Sequence, residues 1–329
     1  MNMIEWAKQL PQSKKSMPIL AYPSAKTMGV NAKTLISNSD LQSEGIYRIA
    51  QHTNAAAAFC IMDLSVEAEA FGATIEKPTE QAPFVTAPLV RSMEEALMLN
   101  VPEIGAGRTK LYIQSAIKAK RRIFDRPVFA TMIGPFSLAG ILMGCDVALQ
   151  NCQKNAEYLH VLLRKATDFL LTYAKSYKEA GLNGILLAEP LAGGLSAENE
   201  KQFSLPYVKE LIAALQDESF LFIYHNCGSN VLSMVESFSQ NGAAIYHFGD
   251  AVPMREMLDK MPKNKPVCGN ISPVTEFLLG TPESVYNSTC ALIEECRSHP
   301  NFVLSSGCDI PSTAPWANID AFFKAVSLL

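Results

Sequence analysis

A chain of 329 residues with 28 lysines and arginines against 32 acidic residues carries a formal charge of −4, leaving no basic surplus for a nucleic-acid surface. Hydrophobic residues make up 48% of it, ample for a large core, yet no uncharged apolar run reaches the ~20 residues a membrane helix needs. Eight irregularly spaced cysteines, with no secretory signal pattern at residues 1–8, predict a cytoplasmic protein with free thiols and exclude a disulfide framework.

In chain order, residues 1–17 predict a short amphipathic helix (Trp6, Leu10) and a lysine-containing turn, together an N-terminal extension. Eight short apolar runs follow: 18–22, 58–62, 127–132, 184–188, 221–224, 243–248, 266–269 and 302–305. Longer amphipathic stretches lie between them, at 40–55, 110–122, 146–180, 197–215, 230–240, 253–260, 282–297 and 315–326. Ser196 is a candidate N-cap, Gly181 and Gly242 are candidate C-terminal stops, and Pro282 stands at a first helical position. Most of the short runs are apolar on both faces, which is the pattern of parallel strands covered by helices on both sides. The expected fold is therefore α/β, a (β/α)8 TIM barrel forming one domain over residues 1–329. Residues 64–108, with an extra short run at Phe84–Thr86, are read as an insertion after the second strand that hangs over the barrel mouth. A doubly wound sheet is the rival, but Pro23-Ser24-Ala25-Lys26 is no glycine-rich phosphate loop.

Functional groups of a barrel sit at the C-terminal ends of its strands. Those ends supply Asp63, Gly134-Pro135, Glu189-Pro190, His225, Cys227, Asp250, Asn270 and Cys308-Asp309. His225 and Cys227 are two apart on an extended segment and point the same way, half of a tetrahedral zinc site. Cys308, after another apolar run, offers a third ligand; Glu189 or Asp250 would supply a weak fourth if the position is not open. The competing reading of the trio is a hydrogen-bonded histidine and two small buried thiols. Asp63 is a candidate general acid/base or anchor for a cationic group, with helix capping as its alternative. Glu189 precedes a proline, so its backbone is extended and its side chain reaches toward the mouth as a second catalytic candidate. Asp250 and Asn270 are candidates for cofactor contact. His247 lies inside a strand and reads as a hydrogen-bonded core residue.

The ordered set Met62-Asp63-Leu64-Ser65-Val66-Glu67, Ile133-Gly134-Pro135-Phe136-Ser137, Glu189-Pro190, His225-Asn226-Cys227-Gly228, Phe248-Gly249-Asp250, Gly269-Asn270-Ile271-Ser272-Pro273 and Ser306-Gly307-Cys308-Asp309 resembles the uroporphyrinogen decarboxylase superfamily. The H-x-C…C pattern resembles its corrinoid-dependent, zinc-containing branch, the methylcobamide:coenzyme M methyltransferases. The resemblance implies Zn2+ at His225, Cys227 and Cys308. It also implies methyl transfer between a corrinoid (methylcobamide) on a partner protein and a small-molecule thiol such as coenzyme M. The decarboxylases' arginine-rich N-terminal segment has no counterpart in residues 21–29, whereas Asp63 matches their active-site aspartate. Two alternatives follow. One is a metal-free, tetrapyrrole-decarboxylating lyase centred on Asp63; the other is a non-catalytic zinc- or corrinoid-binding barrel whose metal is closed off by Glu189 or Asp250.

Overall fold

The computed structural model describes residues 1–327. Its main sheet has seven parallel strands: β1 (Ala58–Phe59), β4 (Val128–Ile133), β5 (Gly184–Ala188), β6 (Leu221–Asn226), β7 (Ile245–Phe248), β8 (Val267–Ile271) and β9 (Phe302–Ser306). They pair in chain order, each with the next, and helices connect them. An antiparallel pair, β2 (Ile75–Glu76) with β3 (Phe84–Val85), stands apart within residues 64–108.

The expected first strand at 18–22 is not a strand. Pro18 has no N–H to give to a ladder, and the Ile19 N–H goes to a side chain, Ser306 Oγ, at 3.0 Å. The segment still bridges the two edges of the sheet. The Met17 N–H donates to the Leu304 carbonyl on β9, and the Ala56 N–H, just before β1, donates to the Ser16 carbonyl. The sheet is thus curled, with residues 16–19 spanning from its last strand to its first.

Strand alternation divides the apolar side chains between two cores. Phe59, Phe129, Leu186, Leu221, Ile223, Ile245 and Val303 face the inside of the curl. There they pack on Met3, Ala7, Leu10 and Met17 of the N-terminal segment, whose helix (Met3–Gln9) is capped by Asn2. The Met3 N–H donates to the Glu218 carbonyl, just ahead of β6, so this helix covers the N-terminal ends of the strands. The outward faces, with Tyr224, Tyr246 and Phe248 among them, pack on the helices. The opposite, C-terminal ends are left to the polar residues.

The expected helices at 146–180 and 197–215 are each divided. Asn155 stops Cys145–Lys154 and caps Ala156–Glu179, its side chain accepting from the Tyr158 N–H. Pro206 cannot continue a preceding turn, so Ala197–Phe203 and Leu205–Leu215 meet at Ser204. Pro135–Met143 forms a helix that periodicity did not suggest: it is apolar nearly all round and almost wholly buried, so it shows no polar face. Among the described residues no helix is long and apolar enough to cross a membrane.

Candidate metal centre at the strand ends

His225 occupies the fifth position of β6, and Cys227 follows just past the strand. Cys308 stands two residues beyond β9, three strands away. The curl of the sheet brings them together: Nε2 of His225 and the two Sγ atoms all lie within 4.8 Å of one another. Cys308 Sγ is 3.4 Å from His225 Nε2. Bonds of ~2.0–2.3 Å at tetrahedral angles put neighbouring nitrogen and sulfur ligands about 3.5 Å apart, so the trio fits a nitrogen- and sulfur-bound ion such as zinc with little movement.

The close approach of backbones here depends on glycine. A Cβ on Gly249 would sit 2.5 Å from Cβ of Cys227, and one on Gly307 would sit 2.6 Å from the Asp250 N–H nitrogen. The loops after β7 and β9 can therefore lie directly against Cys227 and Asp250.

The two thiols shift each other's ionisation in opposite directions. A hydrogen bond from Cys308 to Cys227, helped by the neighbouring His225, holds the Cys227 thiol far below its ordinary pKa. The same contact, added to burial, pushes Cys308 upward. Such a pair gives up its first proton readily, which suits a metal that binds thiolates.

Behind the trio lies a hydrogen-bond chain. His225 Nδ1 meets His247 Nδ1 at 2.9 Å; His247 Nε2 meets Ser305 Oγ at 2.8 Å; and the Ser305 hydroxyl donates to the Met17 carbonyl at 2.8 Å. The carbonyl can only accept, so it takes the one Ser305 proton, and His247 Nε2–H must donate to Ser305. Burial holds His247 neutral, which makes its Nδ1 an acceptor. The donor of the first link is then His225 Nδ1–H, and the Nε2 lone pair of His225 faces the thiols. His247, read from sequence as a core residue, therefore sets the tautomer that a metal requires. A signal for it existed: Ile-Tyr-His occurs at 223–225 and again at 245–247, and these triplets are register partners on β6 and β7.

The remaining candidates stand apart from the trio. Asp63 accepts from the Ser65 N–H and hydroxyl through Oδ1, and from Arg108 and the Tyr112 hydroxyl through Oδ2. Arg108 also binds Glu69 and Ser65, so Asp63 belongs to a buried ion network that ties residues 63–69 to the helix Thr109–Lys120. Glu189 is fully buried and takes the Phe136 N–H (3.0 Å), the Ser137 N–H (2.9 Å) and the Ser137 hydroxyl (2.7 Å) at the start of the helix Pro135–Met143. Burial raises its pKa to about 7 against the pull of those donors. Its own N–H donates to the His225 carbonyl. Asp250 is exposed, and Asn270 Nδ2 donates to the carbonyls of Gly249 and Val252, bracing the loop that carries Asp250. Among the described residues no carboxylate joins the His225, Cys227 and Cys308 cluster.

The family model described as uroporphyrinogen decarboxylase (URO-D) matches residues 17–328. The chain belongs to the uroporphyrinogen decarboxylase family. Within it, the chain is 30% identical over 264 residues to a methylcobamide:CoM methyltransferase (MtbA) of Methanosarcina acetivorans, covering 78% of this chain and 75% of that one. It is 26% identical over 253 residues to a uroporphyrinogen decarboxylase of Myxococcus xanthus, covering 74% and 71%. Its fold is that of a methyltransferase from Methanosarcina mazei, with a TM-score of 0.85 at 19% identity over 98% of this chain and 97% of that one. The relatives it is similar to thus include both a methyltransferase and a decarboxylase by name.

Proposed function

We propose that the chain is a zinc-dependent methyltransferase that moves a methyl group between a corrinoid on a partner protein and a small-molecule thiol. The observation that carries this reading is the meeting of His225, Cys227 and Cys308 within 4.8 Å at the strand ends. The 30% identity to a methylcobamide:CoM methyltransferase supports the reaction class. Zinc bound there would supply an open position at which an acceptor thiol loses its proton at neutral pH.

The chain does the remaining work. His225, oriented through His247, offers Nε2; Cys227 and Cys308 place two thiolate charges beside the incoming sulfur, which keeps it electron-rich. Glu189, pinned between the helix N-terminus and the His225 backbone, holds the ends of β5 and β6 in register. Asp63 and Arg108 anchor the start of the 64–108 segment, whose Glu80–Pro83 stretch shares a cavity with Cys308 and forms a wall of the mouth. Asp250, on a rim braced by Asn270, is positioned to meet the corrinoid protein. Residues 16–22 would stand in for an eighth strand and complete the ring as a barrel.

The test is metal content together with methyl transfer from methylcobalamin to added thiols. The expected result is stoichiometric zinc with one nitrogen and two sulfur ligands by X-ray absorption, gaining a further sulfur when thiol is added. Cys227→Ala and Cys308→Ala should each lose zinc and transfer together. Full activity in a metal-free Cys227→Ala/Cys308→Ala double variant would overturn the proposal, as would tetrapyrrole decarboxylation insensitive to a chelator.

A further inference from the structure

We infer that Asn226, the residue between His225 and Cys227, is a positioning residue of the metal centre. Its side-chain amide fixes the main chain just beyond Cys227, and with it the direction from which that sulfur meets His225 and Cys308. This rests on the metal-centre reading and names what holds one of its ligands in place. Asn226 closes β6, and strand alternation turns its side chain away from the two ligands it separates. It lies instead on the side of Tyr224, two residues earlier, and is wholly buried.

The orientation of the amide follows from its partners. The Gly228 N–H reaches it at 3.0 Å and can only donate, so it faces Oδ1. Nδ2 then donates to the Tyr224 hydroxyl at 3.1 Å. The main chain of the same residue works on the other flank of Cys227. Its carbonyl accepts the Gly249 N–H at 3.2 Å and draws in the loop that lies against the cysteine. The register pairs of β6 and β7 end at Asn226 and Phe248, so the sheet does not carry the order on to Cys227. The Asn226 amide does, through a side chain-to-backbone turn over the cysteine.

A second segment closes over this turn. Gly193, in the turn Leu191–Gly194 after β5, lies so near that an added Cβ would stand 2.5 Å from Asn226 Oδ1 and 2.5 Å from the Gly228 α-carbon. Its φ lies outside the left-handed region, so contact alone excludes a side chain there. The Asn230 N–H donates to the Gly193 carbonyl at 3.3 Å and fastens the far end of the loop to the same turn. Ligands held by such supporting contacts keep to within about 0.5 Å of a working geometry.

The experiment loads the protein with cobalt(II) in place of zinc and records its ligand-field and sulfur-to-metal bands, with thermal unfolding of each metal-free variant alongside. Asn226→Leu removes the acceptor for Gly228; it should shift the bands and lower cobalt affinity about tenfold. Asn226→Asp keeps that acceptor, and the Tyr224 hydroxyl can turn to donate to it. It should therefore return the parent spectrum, although a carboxyl buried there also lowers stability. Gly193→Ala, at a residue outside the ligand set, should reproduce the Asn226→Leu spectrum, and it carries the same test if Asn226→Leu does not fold. Parent bands and affinity in Asn226→Leu, or in Gly193→Ala when that variant stands in, overturn the inference and leave the metal centre standing. Bands that shift equally in Asn226→Asp and Asn226→Leu, following stability rather than the acceptor, overturn it too. An unaltered protein that binds no cobalt through sulfur sinks the metal centre, and this inference with it.

Discussion

Nδ1 of His225 lies 2.9 Å from Nδ1 of His247, its register partner on the adjacent strand, and the direction of that bond decides which ring nitrogen can take a metal. Replacing His247 by phenylalanine keeps a ring on β7 but removes the acceptor. Metal affinity should fall about 10- to 100-fold, as is usual when the partner of a ligating histidine is lost. Ser305→Ala, one link further back, should lower it less and in the same direction. Competition with a chromophoric chelator measures both; unchanged affinity in His247→Phe would remove the relay from the account.

Gly249 tests the geometry from the other side. Its α-carbon lies so close to Cys227 that an added Cβ would stand 2.5 Å from the cysteine Cβ. Gly249→Ala should push Cys227 off the cluster, and metal content after dialysis should drop while far-UV circular dichroism stays native. A variant that binds metal as tightly as the parent would mean the loop yields without moving the sulfur.

The Arg108–Asp63 pair is a matter of stability. The Asp63 side chain has no exposed surface, and removing its guanidinium leaves a buried carboxylate without its charge partner. Arg108→Met should cost about 3–5 kcal/mol in denaturant unfolding, and Asp63→Leu added to it should recover much of that loss. If Arg108→Met alone is neutral, the network does not hold residues 63–69 in place.

Glu67 gives a pH dependence with a definite sign. It is 1% exposed, its Oε2 has no partner, and burial raises its pKa to about 8. The folded chain keeps this proton up to pH ~8, whereas the unfolded chain releases it near pH ~4.3. Between those values the folded state binds the extra proton, so the contribution of Glu67 to stability falls as pH rises and levels off above the upper one. Glu67→Gln keeps an acceptor for the Ile133 N–H and cannot ionise, so it should be more stable than the parent at pH 8 and close to it at pH 5. Parallel stability–pH curves for the two proteins would show that Glu67 does not titrate in that window.

Much of the architecture could be read without coordinates because periodicity is local. Both-face apolar runs at 127–132, 184–188, 221–224 and 302–305 became β4, β5, β6 and β9 within a residue or two. The run at 18–22 failed for a reason that is also local, since Pro18 breaks the donor pattern, but its bridging of the sheet edges depends on Leu304 and Ala56. The helix Pro135–Met143 escaped notice because a buried helix has no polar face to reveal its period.

The amino-acid order by itself determined that His225 and Cys227 share a face, because strand geometry fixes neighbours two apart. It also determined which residues end the strands, since apolar runs stop where polar residues begin. Only the tertiary structure decided that Cys308 meets them across 81 residues, because that distance is set by the curl of the sheet. It alone decided, too, that Asp63 and Glu189 spend their oxygens on Arg108 and a helix N-terminus, and that His247 is a partner of His225. Hydrogen bonds between strands and segments far apart in the chain have no period to read. They exist only once parallel register has placed one side chain against another.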